Sequence, residues 1–389
     1  MKVLHVASNI DPLAGGPSAV VLGMLRAQKK AGLDVSLAFT FPSGCSPAAS
    51  AELGALNIPV HPIGPCGGKI NRHPQIRPVL RQAIGATDVV HIHGMWEQIQ
   101  FDASNLSAQQ KVPYVITPHG MLDPWSLSHN RLVKLIYLKL RMKRRLNLAA
   151  AIHYTARIEA DLCTSLGIKA SSIIEPLGIE LSGFDLLPMG RDTTREELGL
   201  MGQKVIVFLG RLFPGKGIDR LIMVLAKLPP TVSLLVVGPD ANGYRCELEV
   251  LASSSGVEQR VIFTGALAGS KKLAALQAAD LFCLPSDHEN FGLAVVESLA
   301  VGTPVVISDQ VAIHHEIEQA KVGAVVRNDI GQLASVLRRW LDDDALRKAA
   351  SARALVFSRQ TYDWNRIAER WAGHYERIHS AYNSDRVFV

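Results

Sequence analysis

Short apolar runs alternate with stretches of helical periodicity through almost the entire chain. Residues 1–7 make the first apolar run, an amphipathic stretch extends from Ser18 to about Lys30, and residues 35–39 are apolar again. This strand–helix–strand order predicts a parallel sheet, because parallel neighbours need a long crossover that is usually a helix. Two more apolar runs, at 89–93 and 114–117, continue the series. The first part of the chain therefore has the pattern of an α/β domain.

A second series of the same kind follows a linker at residues 188–190. Its strands are predicted at 204–209, 233–237, 261–263, 281–284 and 304–307, with helical patterns between them. A last helical stretch extends from Tyr362 to about Tyr382. A chain of 389 residues exceeds what one core usually holds, so two α/β domains are expected.

Composition indicates an ordinary globular protein. Hydrophobic residues make up 48% and charged residues 20% of the chain, which allows both domains a sizeable core. His5, Asn9 and Asp11 interrupt the first apolar run, which the core of a signal peptide would not tolerate, and no run approaches the length of a membrane span. The five cysteines show neither paired nor metal-ligand spacing. A cytoplasmic protein with reduced thiols is expected.

The positive charge is concentrated in the first half of the chain. Residues 1–184 hold 18 Lys and Arg against 11 Asp and Glu, a net charge of 18 − 11 = +7. The whole chain has a net charge of +6, so the remaining residues contribute 6 − 7 = −1. Residues 131–145 carry seven of these cations, no acid, and many large apolar residues. Such a segment suits a helix on an anionic membrane, as for a protein peripheral to the inner face of the plasma membrane, or a packed helix with one solvated basic face. No aromatic interleaving accompanies the charge, so nucleic acid is not an expected partner.

Two glutamates, Glu289 and Glu297, flank the start of a predicted helix. The helical pattern begins at Leu293 and ends at Gly-Thr-Pro, residues 302–304, so Glu289 lies on the preceding loop and Glu297 about one turn into the helix. A helix N-terminus offers unpaired N–H groups and partial positive charge to a phosphate, whereas paired carboxylates suit sugar hydroxyls. The combination predicts a nucleotide-sugar pocket. Glutamates at a helix start also occur simply because they complement the helix dipole.

The segment 210–217 places two cations, Arg211 and Lys216, between a predicted strand and a predicted helix. The arginine fork and the lysine point charge can together hold a diphosphate without a metal, and their hydrogen bonds strengthen as negative charge develops on a leaving group. Two solvated loop cations are the alternative interpretation of this segment taken alone.

Glycines and one histidine follow other predicted strands. Gly15-Gly16 comes between the first strand and helix but lacks the spacing of the dinucleotide fingerprint, which argues against a dehydrogenase. His119 follows the strand at 114–117, at the end where open α/β sheets bind ligands. Gly238 and the segment 264–267 follow strands of the second series and offer backbone groups to a nucleobase.

Taken together, these segments resemble the retaining glycosyltransferases of family 4. The matching segments follow the family's order and span nearly the whole chain: Gly15-Gly16, His119-Gly120, Thr155 with Glu159, 176–180, Gly210-Arg211 with Lys216-Gly217, Gly238-Pro239 and 288–298. In the segment 176–180, Leu177 and Glu180 replace the more common Asn and Asp, so a polar contact from position 177 is not expected in this hinge.

The resemblance implies the GT-B fold, an α/β architecture of two Rossmann-like domains whose parallel sheets face a central cleft. Residues 1–184 would form the N-terminal acceptor domain, and residues 185–362 the C-terminal domain for the nucleotide-sugar donor. The C-terminal helix, about 363–389, would pack back on the first domain.

The resemblance also implies a role for each matched residue. Arg211 and Lys216 would clamp the diphosphate, Glu297 would bind the ribose hydroxyls, and Glu289 and His119 would bind the donor sugar. The implied catalytic set is His119, Arg211, Lys216 and Glu289. The implied donor-binding set is Gly16, Arg211, Lys216, Gly238, Gly265, Ala266, Leu267, Glu289, Asn290, Phe291, Gly292, Leu293 and Glu297.

By the same resemblance, the chain is expected to transfer a hexose to a saccharide or lipid-linked saccharide acceptor in polysaccharide biosynthesis, with retention at the anomeric carbon. The expected donor is UDP-glucose, because it is frequent in the family. Two alternatives stay open. One is a nucleotide-sugar epimerase of the same architecture, and the other is a non-catalytic, membrane-bound assembly factor.

No metal or cofactor is expected beyond the nucleotide-sugar donor, because cations and helix N–H groups can already neutralise the leaving group. Acidic runs such as Asp342-Asp343-Asp344 can bind a metal, but this one separates two helical patterns and is away from the donor segments. A helix cap in a solvated turn explains it.

Overall fold

The computed structural model describes residues 1–11, 16–42, 48–68, 70–181, 184, 190–240 and 242–387. The chain divides into two compact units. Unit 1 comprises Met1–Gly178 and Trp364–Val389, and unit 2 comprises Ile179–Asp363. The sequence-based boundaries were residues 184 and 362, and the predicted linker residues 188 and 189 lie outside the described residues.

Unit 1 is built on a seven-stranded parallel sheet in the order β3-β2-β1-β4-β5-β6-β7. Its strands are β1 (Lys2–Ala7), β2 (Asp34–Pro42), β3 (Val60–Cys66), β4 (Val89–His93), β5 (Tyr114–Thr117), β6 (Ala151–Tyr154) and β7 (Ser171–Ile174). The central strands are buried along their whole length, so the histidines within them, His91, His93 and His153, lie in the interior.

Helices cover both faces of this sheet, as the crossovers between parallel strands require. They are α1 (Gly16–Lys30), α2 (Ala48–Ala55), α3 (Ile76–Gly85), α4 (Gln98–Gln110), α5 (Pro124–Ser128), α6 (Arg131–Tyr137), α7 (Lys143–Leu148) and α8 (Arg157–Leu162). A π-helical turn, Leu138–Met142, joins α6 to α7, so the predicted basic helix is one helical segment with a π-bulge. Helix α1 begins two residues before the predicted start, at Gly16, whereas Gly15 lies outside the described residues.

Unit 2 has a six-stranded parallel sheet in the order β10-β9-β8-β11-β12-β13. Its strands are β8 (Lys204–Leu209), β9 (Val232–Val237), β10 (Val261–Gly265), β11 (Leu281–Leu284), β12 (Val305–Ser308) and β13 (Gly323–Val326). Strand β10 continues two residues past its predicted end, so Thr264 and Gly265 belong to the strand rather than to the loop.

The helices of unit 2 alternate with its strands. They are α9 (Arg191–Glu197), α10 (Ile218–Leu225), α11 (Tyr244–Ser254), α12 (Gly269–Ala278), α13 (Leu293–Ala300), α14 (His314–Ala320), α15 (Ile330–Asp342) and α16 (Asp344–Thr361). The acidic run lies between α15 and α16, where the Asp343 carboxylate accepts a hydrogen bond from the Leu346 N–H at 2.8 Å. The predicted helix cap is therefore confirmed.

The last helix, α17 (Trp364–Val387), returns to unit 1 and packs along α1. Trp364, Trp371 and Tyr375 are buried there. A Cβ atom added at Gly23 of α1 would lie 2.4 Å from Nε1 of Trp364, so only glycine fits beneath this indole. None of the described helices is both long and apolar enough to cross a lipid bilayer.

Candidate functional site

The order of strands in unit 2 reverses between β8 and β11, which are neighbours in the sheet but distant in sequence. Loops at the carboxyl ends of such a strand pair form the usual ligand crevice of an open α/β sheet. The loop after β8 carries Arg211 and Lys216, and the loop after β11 carries Glu289. Lys216 Nζ lies 2.8 Å from Glu289 Oε2, and both side chains are about one quarter exposed. The structure thus joins two residues that the sequence placed on separate motifs.

These two loops are locked together by their backbones. The Gly215 carbonyl accepts hydrogen bonds from the Asp287 N–H at 2.8 Å and from the Ser286 hydroxyl at 3.1 Å. Gly217, at φ +79°, approaches so closely that an added Cβ would lie 2.2 Å from the Pro285 carbonyl oxygen. Only glycine meets both the positive φ and the contact, so the Lys216–Gly217 turn has a fixed position against the second loop.

The backbone of Glu289 is also fixed. Its N–H donates to the Gln310 carbonyl at 3.1 Å, and its own carbonyl accepts from Ala312 N–H at 3.0 Å. Three residues later, Gly292 has φ +90° and caps the start of α13. Phe291 between them is buried, with its ring edge-on to Tyr362 at 5.9 Å. Any contact from Phe291 to a ligand must therefore come from its backbone.

Glu297 lies in the first turns of α13, as predicted, and forms an ion pair that the sequence did not suggest. Lys272 Nζ of α12 lies 2.8 Å from Glu297 Oε1, with the two side chains 27% and 19% exposed. Lys272 belongs to no segment of the family resemblance. The only signal for it was a Lys-Lys pair after a Gly-Ser helix start, and nothing in that pattern pointed to a partner twenty-five residues away.

Glycines connect the carboxyl ends of β8, β9 and β10. Gly210 N–H donates to the Val237 carbonyl at 3.0 Å, and Gly238 N–H donates to the Gly265 carbonyl at 2.9 Å. An added Cβ at Gly238 would lie 1.8 Å from the Gly210 carbonyl oxygen. The predicted donor residues Gly238 and Gly265 are therefore adjacent, and Ala266 and Leu267 follow directly on the same sheet edge.

Arg211 is arranged differently from Lys216. Its side chain is exposed, and no ion pair among the described residues includes it. Lys216 and Lys272 are each neutralised by a glutamate, so Arg211 is the predicted clamp residue whose charge is uncompensated in the described part of unit 2. An anionic ligand at this edge would find the charge of Arg211 uncompensated, whereas it would compete with Glu289 for Lys216.

In unit 1, His119 lies just beyond β5 in the left-handed region, at φ +52°. The turn is held by Glu159, a buried carboxylate at the start of α8. Glu159 accepts from the Gly120 N–H at 2.6 Å, from the Thr155 N–H at 2.7 Å and from the Thr155 hydroxyl at 2.9 Å. Burial raises the pKa of Glu159, against the opposing effect of these hydrogen bonds. Thr155 and Glu159, matched to the family only as a sequence stretch, thus fix the backbone that presents His119. Gly16, the other predicted donor residue of unit 1, is the exposed first residue of α1.

Three buried histidines, His5, His91 and His93, bring ligand atoms within 4.8 Å of one another. Such a cluster could hold a metal, but the ring nitrogens of all three are already engaged in hydrogen bonds of 2.6 to 3.3 Å. Binding a metal would require those hydrogen bonds to break. Metal independence of the chain stays a prediction.

Two family models match the chain. Residues 15–174 match the glycosyl transferase 4-like domain, and residues 190–355 match the glycosyl transferases group 1 model. Among curated proteins, the chain is 33% identical over 235 residues to a D-inositol 3-phosphate glycosyltransferase of Mycolicibacterium smegmatis, covering 58% of this chain and 52% of that protein. It is 31% identical over 224 residues to the protein of that name in Mycobacterium bovis, covering 55% and 45%. The chain thus spans about half the length of the curated relatives it matches.

Solved structures share the fold over nearly the full chain. Anabaena HepE in complex with UDP aligns with a TM-score of 0.80 at 21% identity, covering 97% of this chain and 100% of that one. WaaG, a glycosyltransferase involved in lipopolysaccharide biosynthesis, aligns with a TM-score of 0.70 at 20% identity, covering 95% and 98%. At these identities the likeness concerns the fold, and it confirms the predicted pair of Rossmann-like α/β units of the GT-B type.

Proposed function

The chain belongs to the group 1 glycosyl transferases with the GT-B fold, and from that premise we propose that it transfers a hexose from a UDP-sugar to a saccharide or lipid-linked saccharide acceptor. The observation that carries the proposal is the Lys216–Glu289 pair at the strand-order reversal of unit 2. The pair combines a cation that can bind phosphate with a carboxylate that can bind sugar hydroxyls, and this edge is where open α/β sheets usually bind ligands.

In the proposal, the nucleotide end of the donor lies at the same carboxyl edge of the unit 2 sheet, away from the Lys216–Glu289 pair. Glu297 binds the ribose hydroxyls, and Lys272 at 2.8 Å holds its carboxylate in place. Backbone groups of Gly238, Gly265, Ala266 and Leu267 surround the base, and the close contact of Gly238 with the Gly210 carbonyl leaves no room for a side chain at position 238.

The diphosphate lies between these ends in the proposal. Arg211 and Lys216 bind its oxygens, and the N–H groups that open α13 at Gly292 and Leu293 add a partial positive charge. These donors act most strongly on the charge that develops as UDP departs, so they favour the transition state over the bound donor. No metal is required for that role.

The sugar is assigned to Glu289 and to the backbone of Asn290 and Phe291, with His119 and Gly16 of unit 1 as further contacts taken from the family resemblance. The proposed donor is UDP-glucose, and the transfer retains the anomeric configuration. Support for this donor comes from HepE, which was crystallised in complex with UDP-glucose and shares the fold with a TM-score of 0.78.

Purified protein incubated with a panel of UDP-sugars tests the proposal. UDP release that depends on an added saccharide acceptor, greatest with UDP-glucose and unaffected by EDTA, is the expected result. An epimerised sugar formed without acceptor would establish the epimerase instead, and failure to bind any UDP-sugar by calorimetry would favour an assembly factor. Lys216→Ala should abolish most turnover, whereas Lys227→Ala, an exposed lysine elsewhere in unit 2, should not change it.

We further propose that the basic segment of unit 1, from α6 through α7, rests on an anionic membrane surface. Four large apolar side chains here are more than half exposed: Leu132 at 76%, Val133 at 70%, Ile136 at 58% and Leu140 at 77%. Leu132, Ile136 and Leu140 are four residues apart and therefore share one side of a helix. Contiguous exposed apolar surface of this kind marks an interaction site.

Six of the seven cations of this segment fall into two groups of three. Lys134 donates to the Ser126 carbonyl at 2.6 Å, Arg141 lies 4.0 Å over the Phe101 ring, and Lys143 donates to the Gly167 carbonyl at 2.8 Å. These three fix the segment to unit 1. Arg131, Lys139 and Arg144 are exposed, and each is worth about 1 kcal/mol near an anionic surface.

Co-sedimentation with vesicles of mixed anionic and neutral lipid tests the membrane proposal. Leu132→Ser with Leu140→Ser, and separately Lys139→Gln with Arg144→Gln, should each reduce binding to anionic vesicles while UDP binding stays unchanged. Arg81→Gln removes an exposed cation from α3 of the same unit and serves as the control. Full vesicle binding by both double variants would exclude this surface as the membrane contact.

A further inference from the structure

A continuous chain of side-chain hydrogen bonds passes through the buried interior of unit 1 and ends at His119. It links residues from β1, α1, β4, β5, β6 and α17, which are far apart in sequence. The links are His119 Nε2–His93 Nδ1 (3.3 Å), His93 Nε2–His5 Nδ1 (3.0 Å), His5 Nε2–Gln28 Oε1 (2.8 Å), Gln28 Nε2–Tyr375 Oη (3.2 Å), Tyr375 Oη–His91 Nδ1 (2.6 Å), His91 Nε2–Thr117 Oγ1 (2.7 Å), Thr117 Oγ1–His153 Nδ1 (2.8 Å) and His153 Nε2–Glu175 O (2.8 Å).

The far end of the chain sets its direction, because a backbone carbonyl can only accept. His153 must donate to the Glu175 carbonyl from Nε2, so in a neutral ring its Nδ1 is an acceptor. The Thr117 hydroxyl therefore gives its single proton to His153 Nδ1 and must accept from His91 Nε2. His91 Nδ1 is then an acceptor and takes the proton of the Tyr375 hydroxyl.

The same reasoning continues to the other end. Since the Tyr375 proton is used, its oxygen accepts from the Gln28 amide nitrogen, which leaves the Gln28 carbonyl oxygen to accept from His5 Nε2. His5 Nδ1 then accepts from His93 Nε2, and His93 Nδ1 accepts from His119 Nε2. Every member has one consistent role, and Gln28 has the amide orientation that the direction demands.

Neutral rings, which this assignment needs, are favoured by the surroundings. His5, His91, His93 and His153 are buried. Burial is the main cause that lowers their pKa values, to about 4 for His5 and His153 and well below the usual 6.5 for His91 and His93. Burial also lowers the pKa of His119, to about 3. A second proton on any of the four inner rings, those of His5, His91, His93 and His153, would leave two donors facing each other.

We infer that this chain fixes His119 in the Nε2–H tautomer, so that its Nδ1 presents a lone pair as the open end of the chain. Tyr375, Gln28 and Thr117 are then positioning residues for His119, although they need not touch a ligand. The inference deepens the proposed function and rests on it for the identity of the ligand. A group that meets Nδ1 must donate a hydrogen bond, as a sugar hydroxyl does, whereas a phosphate, carboxylate or carbonyl oxygen would be repelled.

Thr117 offers the sharpest test, because it alone connects His91 to the anchored His153. Thr117→Val keeps the shape of the side chain but disconnects the other hydrogen-bonded residues from His153 and the Glu175 carbonyl. In this variant His91 would point its Nε2–H at a methyl group. Because a buried N–H without a partner costs more than a buried acceptor without one, the hydrogen bonds from His91 to His119 should reverse their direction. Thr117→Ser retains the hydroxyl and the direction, and it is the matched control.

Nitrogen NMR of the ligand-free protein labelled with ¹⁵N-histidine measures the tautomer directly. We expect His119 to carry its proton on Nε2 in the wild type and in Thr117→Ser. In Thr117→Val, at least half of the molecules should carry it on Nδ1. A wild-type His119 protonated on Nδ1, or on both nitrogens at neutral pH, would overturn the inference. So would a Thr117→Val protein that folds with an unchanged His119 tautomer.

Donor kinetics connect the tautomer to function. If half of the molecules or fewer carry the His119 tautomer that accepts from the donor, the apparent donor affinity falls at least about twofold. Thr117→Val should therefore show at least that loss in kcat/KM with the natural donor, and Thr117→Ser should not. Monodeoxy UDP-glucose analogues should identify one hydroxyl whose removal harms the wild type more than Thr117→Val. If the tautomers are as assigned but no UDP-sugar is ever used, the proposed function fails while the preset acceptor at His119 stands.

Discussion

Lys216 and Glu289 form a 2.8 Å ion pair across two loops that follow non-consecutive strands of unit 2. The pair is charge-neutral without ligand, so a diphosphate must draw Lys216 partly away from a carboxylate that already satisfies it. Glu289 thus has two effects in the proposed reaction. It binds the sugar, and it restrains the cation that binds the leaving group.

This arrangement predicts opposite changes in UDP affinity for the two partners. Lys216→Ala should weaken UDP binding about 10- to 100-fold, because a charge-assisted hydrogen bond is lost. Glu289→Gln should leave UDP binding equal or tighter, since the lysine is released, while turnover falls by a comparable factor or more. Calorimetry with UDP and steady-state kinetics measure the two quantities. Weaker UDP binding by Glu289→Gln would show that the pair does not compete with the phosphate.

The Lys272–Glu297 pair predicts a role for a lysine outside the family motifs. Lys272→Met removes the cation that orients the Glu297 carboxylate, so UDP affinity should fall about 3- to 30-fold. The neighbouring Lys271 is exposed, and Lys271→Met is the matched control. Thermal-shift titration with UDP measures both. Equal effects of the two substitutions would refute the positional role of Lys272.

The tight contact between Gly217 and Pro285 predicts a large cost for one added methyl group. Gly217 and Gly243 both cap helices in the left-handed region, at φ +79° and +76°, but an added Cβ would lie 2.2 Å from Pro285 O at Gly217 and within 4 Å of nothing at Gly243. Gly243→Ala should cost about 1–2 kcal/mol from backbone strain alone. Gly217→Ala should cost at least about 2 kcal/mol more and weaken UDP binding. Urea unfolding of the two variants measures the difference in their free energies of unfolding. Equal values would mean that the two loops move apart to accommodate the added methyl group.

The buried histidines predict acid sensitivity. Their folded pKa values lie below the unfolded value of 6.5, so below that pH the unfolded chain binds protons that the native protein does not. Stability is therefore full above about pH 6.5 and is lost as pH falls toward 4, by about 1.4 kcal/mol per pH unit for each such histidine. The pKa of Glu159 is raised, so at this residue the native protein binds a proton more readily than the unfolded chain does. Glu159 therefore offsets the loss of stability with acid by no more than one histidine contributes to it.

His153→Gln isolates one member of this group. Glutamine can accept from the Thr117 hydroxyl and donate to the Glu175 carbonyl, as the neutral histidine does, but it does not titrate. Urea unfolding between about pH 6 and 5 should show a slope shallower than that of the wild type by about 1.4 kcal/mol per pH unit. An unchanged slope would mean that His153 is protonated in the folded protein.

The sequence was sufficient for the features that local pattern controls. The two α/β series, the loop position of Glu289 and the helical position of Glu297 follow from apolar periodicity and from helix start and stop signals, and the structure has them. Gly238 and Gly217 could be recognised as glycines after strands. Their real constraint, a carbonyl oxygen within 2.2 Å of an added Cβ, depends on a loop elsewhere in the chain.

What the sequence did not reveal are pairings between distant segments. Lys272 meets Glu297, and Tyr375 meets His91, only because helices α12 and α17 return to sheets begun much earlier in the chain. Periodicity predicts that each helix has a buried side but does not specify its partner. Nothing in the sequence therefore indicates that His91 and His93 are connected to His119, because the connection depends on strands that are neighbours only in the folded sheet.

The return of α17 to unit 1 also bears on how the protein is made. When residue 178 has left the ribosome, every strand of the first sheet exists, yet Trp364, Trp371 and Tyr375 have still to be synthesised. Until they are synthesised, Gly23 of α1 has no indole packed against it and His91 has no hydrogen bond from the Tyr375 hydroxyl. The earliest part of the polypeptide thus reaches its final form only after the latest part has emerged, with all of unit 2 translated in between.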